Sequence, residues 1–111
     1  MVGLAYILKC VVGIGVGLNI ASASEVSEGR DIARKNLCLG CHAETKKVVG
    51  PAFMEIAKRY DSSPASYTYL SRRIKEGGVG VWGAIPMPAN KNNITDKEVN
   101  LVIQWIFSLR R

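Results

Sequence analysis

Apolar residues along this chain recur in blocks of helical period, separated by stretches with no period. The clearest block is C-terminal. Val99, Val102, Ile103, Ile106 and Leu109 return at intervals of three and four, which puts them on one helix face. "TDKE", Thr95 to Glu98, has the capping-box spacing that starts such a helix. Arg110 and Arg111 follow at its negative end, where cations are favoured. A second block, "SPASYTYL", opens with Ser63 as cap and Pro64 at the first helical position, and Gly77 ends it after Glu76. "AFMEIAKRY", Ala52 to Tyr60, follows Pro51 and predicts a shorter helix. The first block runs from about Ser27, a plausible cap, to Leu37, with Ile32, Ala33 and Leu37 on its apolar side and Gly29 as a weak spot. Trp105 lies on the apolar stripe of the last helix and is expected to pack near Gly29, whose missing side chain permits a close crossing.

Between the third and fourth blocks lies "GGVGVWGAIPMPANKNN", rich in Gly, Pro and Asn and incompatible with regular structure. A loop that long in a small domain usually has a function. No strand longer than a few residues is predicted, and no repeat is visible. The expected fold is all-α: four short helices with long loops wrapped round something.

The N-terminus follows a different pattern. "MVGLAYILKCVVGIGVGLNIASAS" carries one charge, Lys9, then an apolar run from Cys10 to Ile20, then small residues at Ala21 and Ala23. That order matches a secretory signal over residues 1–23, with cleavage before Ser24 and a domain spanning 24–111. The rival reading is a retained anchor, but the run after Lys9 is about half of the roughly 20 apolar residues a spanning helix needs. Removing residues 1–23 leaves 88 and lowers the net charge from +6 to +5. Cys10 leaves too, so Cys38 and Cys41 are the mature cysteines. Export places them in an oxidising compartment, where a disulfide is the default. A domain of 88 residues is also marginal without a staple or cofactor.

"CLGCH", Cys38 to His42, competes with that default, because it holds both mature thiols and the chain's only histidine. A redox C-x-x-C needs a βαβ setting that this helical chain lacks. A zinc site would have three ligands at most, with no second cysteine pair to close a tetrahedron. C-x-x-C-H is the attachment signal for c-type haem: two thiols form thioethers with the vinyl groups, and the adjacent imidazole faces the iron. A second axial ligand is then required. Met1 lies in the signal, and Met54 has helical spacing with Ala57 and reads as a packing residue. Met87 stands between Pro86 and Pro88 in the long loop, where fixed φ angles and missing donors make a stiff segment unable to join a ladder. A stiff loop suits a weak thioether ligand, and Met/His ligation raises the reduction potential.

On these residues the whole mature chain resembles the class I cytochromes c of the small bacterial c-551 (c8) type. "CLGCH", "VGPAF", "IKEGGVGVWGAIPMPAN" and "VNLVIQWIFS" match in order and cover nearly all of residues 27–109. The resemblance implies a cytochrome c fold around one covalent haem c and a monomeric, periplasmic single-electron carrier without enzymatic activity. It implies iron ligation by His42 and Met87, with Cys38 and Cys41 as attachment points. Pro51 matches the proline whose carbonyl accepts the histidine N–H, Trp82 a donor to a haem propionate, and Asn90 an asparagine beside the methionine sulfur. Ala89 departs from a pattern that often has a second proline there. The implied donor is a quinol-oxidising complex, and the implied acceptor is a nitrite reductase, peroxidase or terminal oxidase. The competing reading from another class is a haem enzyme or ligand sensor in which Met87 is displaced.

Two further patterns are set aside or weighed. Gly78, Gly80 and Gly83 spell G-x-G-x-x-G, but a charged helix precedes them and prolines follow, so the dinucleotide reading fails. The basic residues lack the aromatic interleaving of a nucleic-acid groove. Lys35, Lys46 and Lys91, expected nearest the haem edge, would steer the protein towards an acidic partner.

Overall fold

The computed structural model describes Gly13 and residues 21–111. The leader pattern and its apolar run therefore lie almost wholly outside the described residues. Among the described residues four helices follow one another: α1 (Ala23–Lys35), α2 (Phe53–Arg59), α3 (Pro64–Glu76) and α4 (Asp96–Ser108), with one 3₁₀ turn at Cys38–Gly40. Among the described residues there is no named strand, only an isolated antiparallel bridge between Gly78 and Met87. No helix there is long and apolar enough to cross a membrane.

The helix ends follow local chemistry. Thr95 caps α4 with the reciprocal Glu98 bond, and Ser63, Pro64 and Gly77 bound α3 as the sequence predicts. α1 differs. It begins four residues before Ser27, because Ser22 accepts from the Glu25 main chain while the Glu25 side chain reaches back, a complete capping box. It ends at Lys35, with Asn36 as its C-cap, rather than at Leu37. Leu37 turns into the left-handed region at φ 61° and is 79% exposed.

α4 is the centre of the domain. Val99, Leu101, Val102, Ile103, Trp105, Ile106 and Phe107 are all buried, more of its circumference than one stripe would cover. α1, α2 and α3 all pack against it. α1 crosses it at Gly29, where an added Cβ would land on the Leu101 carbonyl, 2.7 Å from its carbon and 3.0 Å from the Trp105 Cβ. The close crossing expected from Gly29 and Trp105 is therefore present. Ile32, Ala33, Phe53, Ile56, Ala57, Leu70 and Ile94 complete the core.

Arg110 does not serve the end of its own helix. It donates to the carbonyls of Ala57 (2.6 Å) and Tyr60 (2.7 Å), closing the C-terminal end of α2, and reaches Ser62 at 3.4 Å. The macrodipole argument named a favourable location for a cation, but a neighbouring helix offered unpaired carbonyls within reach.

Candidate functional site

The 3₁₀ turn fixes the first part of the site. Gly40 N–H donates to Leu37, and the Cys41 and His42 N–H groups both donate to the Cys38 carbonyl. Residues i and i+3 eclipse in such a turn, so the side chains of Cys38 and Cys41 leave on the same side. Both thiols are free, Cys41 exposed and Cys38 half-buried. Burial pushes the Cys38 thiol above its ordinary range, against a main-chain hydrogen bond that lowers it.

The chain then doubles back along itself. Val49 and Gly50 donate to the Cys41 carbonyl (3.1 and 2.7 Å), Phe53 to Ala43 and Met54 to Glu44. His42, 8% exposed, is enclosed between the two arms. Its Nδ1–H donates to the Pro51 carbonyl at 2.7 Å, which fixes the tautomer and leaves Nε2 as the nitrogen available to a ligand. Gly50 lies flat against the ring: a Cβ there would sit 2.5 Å from Cε1 and 2.8 Å from Nδ1. Phe53 stacks on the imidazole (4.7 Å, 21°), and Trp105 meets Phe53 edge-on at 5.0 Å. The imidazole is thus referenced through two aromatic rings to α4.

Met87 arrives from the long loop. Gly77 at φ 70° lets the chain turn where a side chain would strike the Met87 carbonyl. Gly78 and Met87 then exchange both main-chain hydrogen bonds, at 3.1 and 2.8 Å. The expectation that this segment joins no ladder is corrected here, since the prolines flank Met87 but Met87 keeps its own N–H. Asn90 braces the same loop. Its amide donates to the Ile74 and Pro88 carbonyls (3.1 and 3.2 Å), tying the loop to α3.

These parts meet in one cleft of about 260 Å³, far more than the voids a packed core leaves. Cys41, His42, Pro51, Trp82 and Met87 line it, and Ile56, Leu70 and Ile106 provide its apolar floor. Met54 is not among the lining residues. Trp82 is 38% exposed rather than a core indole, and its Nε1–H has no protein acceptor among the described residues. Four polar lining residues escaped the sequence reading: Lys47, Tyr60, Tyr69 and Arg73. Arg73 Nε donates to the Tyr69 hydroxyl at 3.3 Å, the main cause holding that phenol below its ordinary range. Burial, chiefly, raises that of Tyr60. The i,i+4 spacing of Tyr69 and Arg73 on α3 was the available signal.

Cys41, His42 and Met87 line this cleft, and Cys38 stands one 3₁₀ turn before Cys41, outside the lining; two thiols, an imidazole and a thioether are the donor types of a c-type haem site. The Cytochrome c family model matches residues 26–110. The chain belongs to the cytochrome c family. Cytochrome c-552 of Hydrogenobacter thermophilus is 37% identical over 105 residues, covering 95% of this chain and 97% of the relative. Cytochrome c-551 of Pseudomonas aeruginosa is 32% identical over 95 residues, 86% of this chain and 89% of the relative. The crystal structure of wild-type Nitrosomonas europaea cytochrome c552 superposes with a TM-score of 0.66 at 46% identity, covering 73% of this chain and 99% of that one. The all-α cytochrome c fold, one covalent haem c and an electron-carrying rather than enzymatic role follow from this membership.

Proposed function

We propose that the protein is a periplasmic single-electron carrier whose haem c is attached through Cys38 and Cys41 and ligated by His42 Nε2 and the Met87 sulfur. The bound iron would supply one-electron exchange between its ferric and ferrous forms. The chain's own residues hold that exchange in one geometry. The Pro51 carbonyl and Gly50 keep the imidazole in a single tautomer and plane. The Gly78 bridge and the Asn90 amide hold the main chain at Met87. The unpaired Trp82 N–H is the donor for a haem carboxylate.

The observation that carries the reading is the meeting of His42 and Met87 in one cleft, from segments 45 residues apart, each held by main-chain hydrogen bonds. With His42 and Met87 both holding the iron, no position on it would remain open for substrate chemistry. Residues 1–23 are read as a cleaved export signal, so Ser22 and the capping box it makes with Glu25 would belong to the precursor alone. The partners are redox proteins: a quinol-oxidising complex as donor, and a nitrite reductase, peroxidase or terminal oxidase as acceptor. Lys35, Lys46 and Lys91 are exposed and, among the described residues, outside every ion pair, which suits them to steer an acidic partner.

An optical redox titration of the exported protein tests the reading. The expected result is a reversible one-electron couple, low-spin in both states, with the weak long-wavelength band of a sulfur–ferric iron bond. High-spin ferric spectra or ready binding of carbon monoxide at neutral pH would overturn it. N-terminal sequencing should begin at or near Ser24, and a start at Met1 would remove the leader assignment.

A further inference from the structure

The loop that carries Met87 is held unevenly. Its foot is fixed to α3 by Gly77 N–H to the Arg73 carbonyl, by Asn90 to Ile74 and by Lys91 to Lys75, and the Gly78–Met87 bridge closes its neck. Beyond that bridge, residues 79–86 form a tip with little support. Val79 and Ile85 are 58% and 65% exposed. Gly80 and Gly83 adopt φ of 101° and 132°, which glycine alone adopts freely. Apart from the internal Gly80–Gly83 bond, one hydrogen bond reaches the tip among the described residues, and it comes from Arg59.

Arg59 is the last residue of α2. Its Nη1 donates to the Val81 carbonyl at 3.4 Å, and its guanidinium lies 4.6 Å over the Trp82 ring. The same group sits 5.8 Å from the Tyr60 ring, which is itself 5.3 Å from Tyr69. At its other end α2 begins with Phe53, the ring stacked on His42. Arg59 therefore joins the element that supports the imidazole to the loop that supplies the thioether. Two aromatic faces hold a planar cation more firmly than one exposed hydrogen bond would.

We propose that Arg59 is a positioning residue for Met87: it clasps the loop tip to α2 and so sets how readily the methionine side opens to an external ligand. The inference rests on the Met87 ligation proposed above. Glycines at the tip give the opened loop many conformations, so closure depends on a tie that offsets their entropy. Arg59 touches no ligand atom and acts through Val81 and Trp82.

The test uses the haem-loaded protein with Arg59→Leu, which keeps bulk and removes both cation and donor, and Arg59→Lys, which keeps the charge but not the planar stack. Imidazole is titrated into the ferric proteins while the sulfur–iron band is followed. Arg59→Leu should bind imidazole about tenfold more tightly, the size of one exposed cation–π pair plus one long hydrogen bond at the weak end of the ordinary range. Arg59→Lys should fall between. Unchanged imidazole affinity in Arg59→Leu, with the band present in the parent, overturns the clasp alone. Hydrogen exchange of the Gly80 amide, the tip N–H that is bonded (to Gly83), reads the clasp whatever ligates the iron, and should quicken by a similar factor in Arg59→Leu. If the parent lacks the band, the ligation reading fails. Exchange that does not quicken sinks the clasp.

Discussion

Replacing Gly29 by alanine tests how far packing remote from the site governs it. The new Cβ would fall 2.7 Å from the Leu101 carbonyl carbon, where ordinary contact begins at 3.4 Å, and 3.0 Å from the Trp105 Cβ. The Leu101 atoms belong to the α4 main chain and cannot rotate aside, so α1 must lift by about 0.7 Å or more, the difference between those two distances. A gap of that size forfeits roughly a quarter to a half of each dispersion contact along the crossing. Overpacking of this kind costs about 1–3 kcal/mol, and a main-chain obstacle favours the upper end. Alanine returns about 1 kcal/mol of helix propensity. The net expectation is a loss of about 2 kcal/mol, or roughly 8–16 °C in Tm for a domain of this size. Because Trp105 meets Phe53 and Phe53 stacks on His42, the shift should also reach the imidazole. Guanidinium unfolding followed by far-ultraviolet circular dichroism gives the stability, and the NMR shifts of the His42 ring report the site. A variant as stable as the parent, with unmoved His42 signals, would refute the claim that Gly29 is there for the crossing.

Other substitutions probe separate links. Leu37→Gly should stabilise by about 0.5–1 kcal/mol, since it relieves a left-handed leucine and removes a side chain that buries little; a lowered denaturation midpoint would contradict this. Arg110→Ala removes the donors to Ala57 and Tyr60 and should cost about 1–2 kcal/mol, read from the same unfolding curves; no loss would mean water replaces the guanidinium without penalty. Asp61, bonded first to Ser63, and Glu98, bonded first to the Thr95 main chain, both titrate below the usual carboxylate range. Their contribution is complete above the unfolded carboxylate range and is lost as pH falls through the lower folded values. Urea midpoints should therefore fall on acidification, less steeply in Glu98→Gln, which cannot titrate, and equal slopes would reject the Glu98 cap as a cause.

The bounds of α3 and α4 were legible because Ser63, Pro64, Gly77 and the Thr95–Glu98 pair act locally, each within its own turn. The start of α1 was not, since its capping box lies in the small-residue tail that also reads as a cleavage region. The candidate site was legible as a list of donors. Its supports were not, because each depends on a meeting of distant segments: Gly50 with the His42 ring, Met87 with Gly78, Arg110 with the end of α2. The rule that prolines exclude a ladder failed at Met87 for a simple reason, that the rule applies to the prolines themselves. The bonds of the Asn90 amide to the Ile74 and Pro88 carbonyls were likewise not legible, because Ile74 lies 16 residues away on α3.

The most direct test of covalent attachment at Cys38 and Cys41 is the intact mass of the protein, denatured and reduced, after export by a host that matures c-type haem. The expected mass is that of the polypeptide plus one haem, resistant to reduction and extraction. A mass equal to the polypeptide alone, with both thiols alkylated by a cysteine reagent, would contradict it.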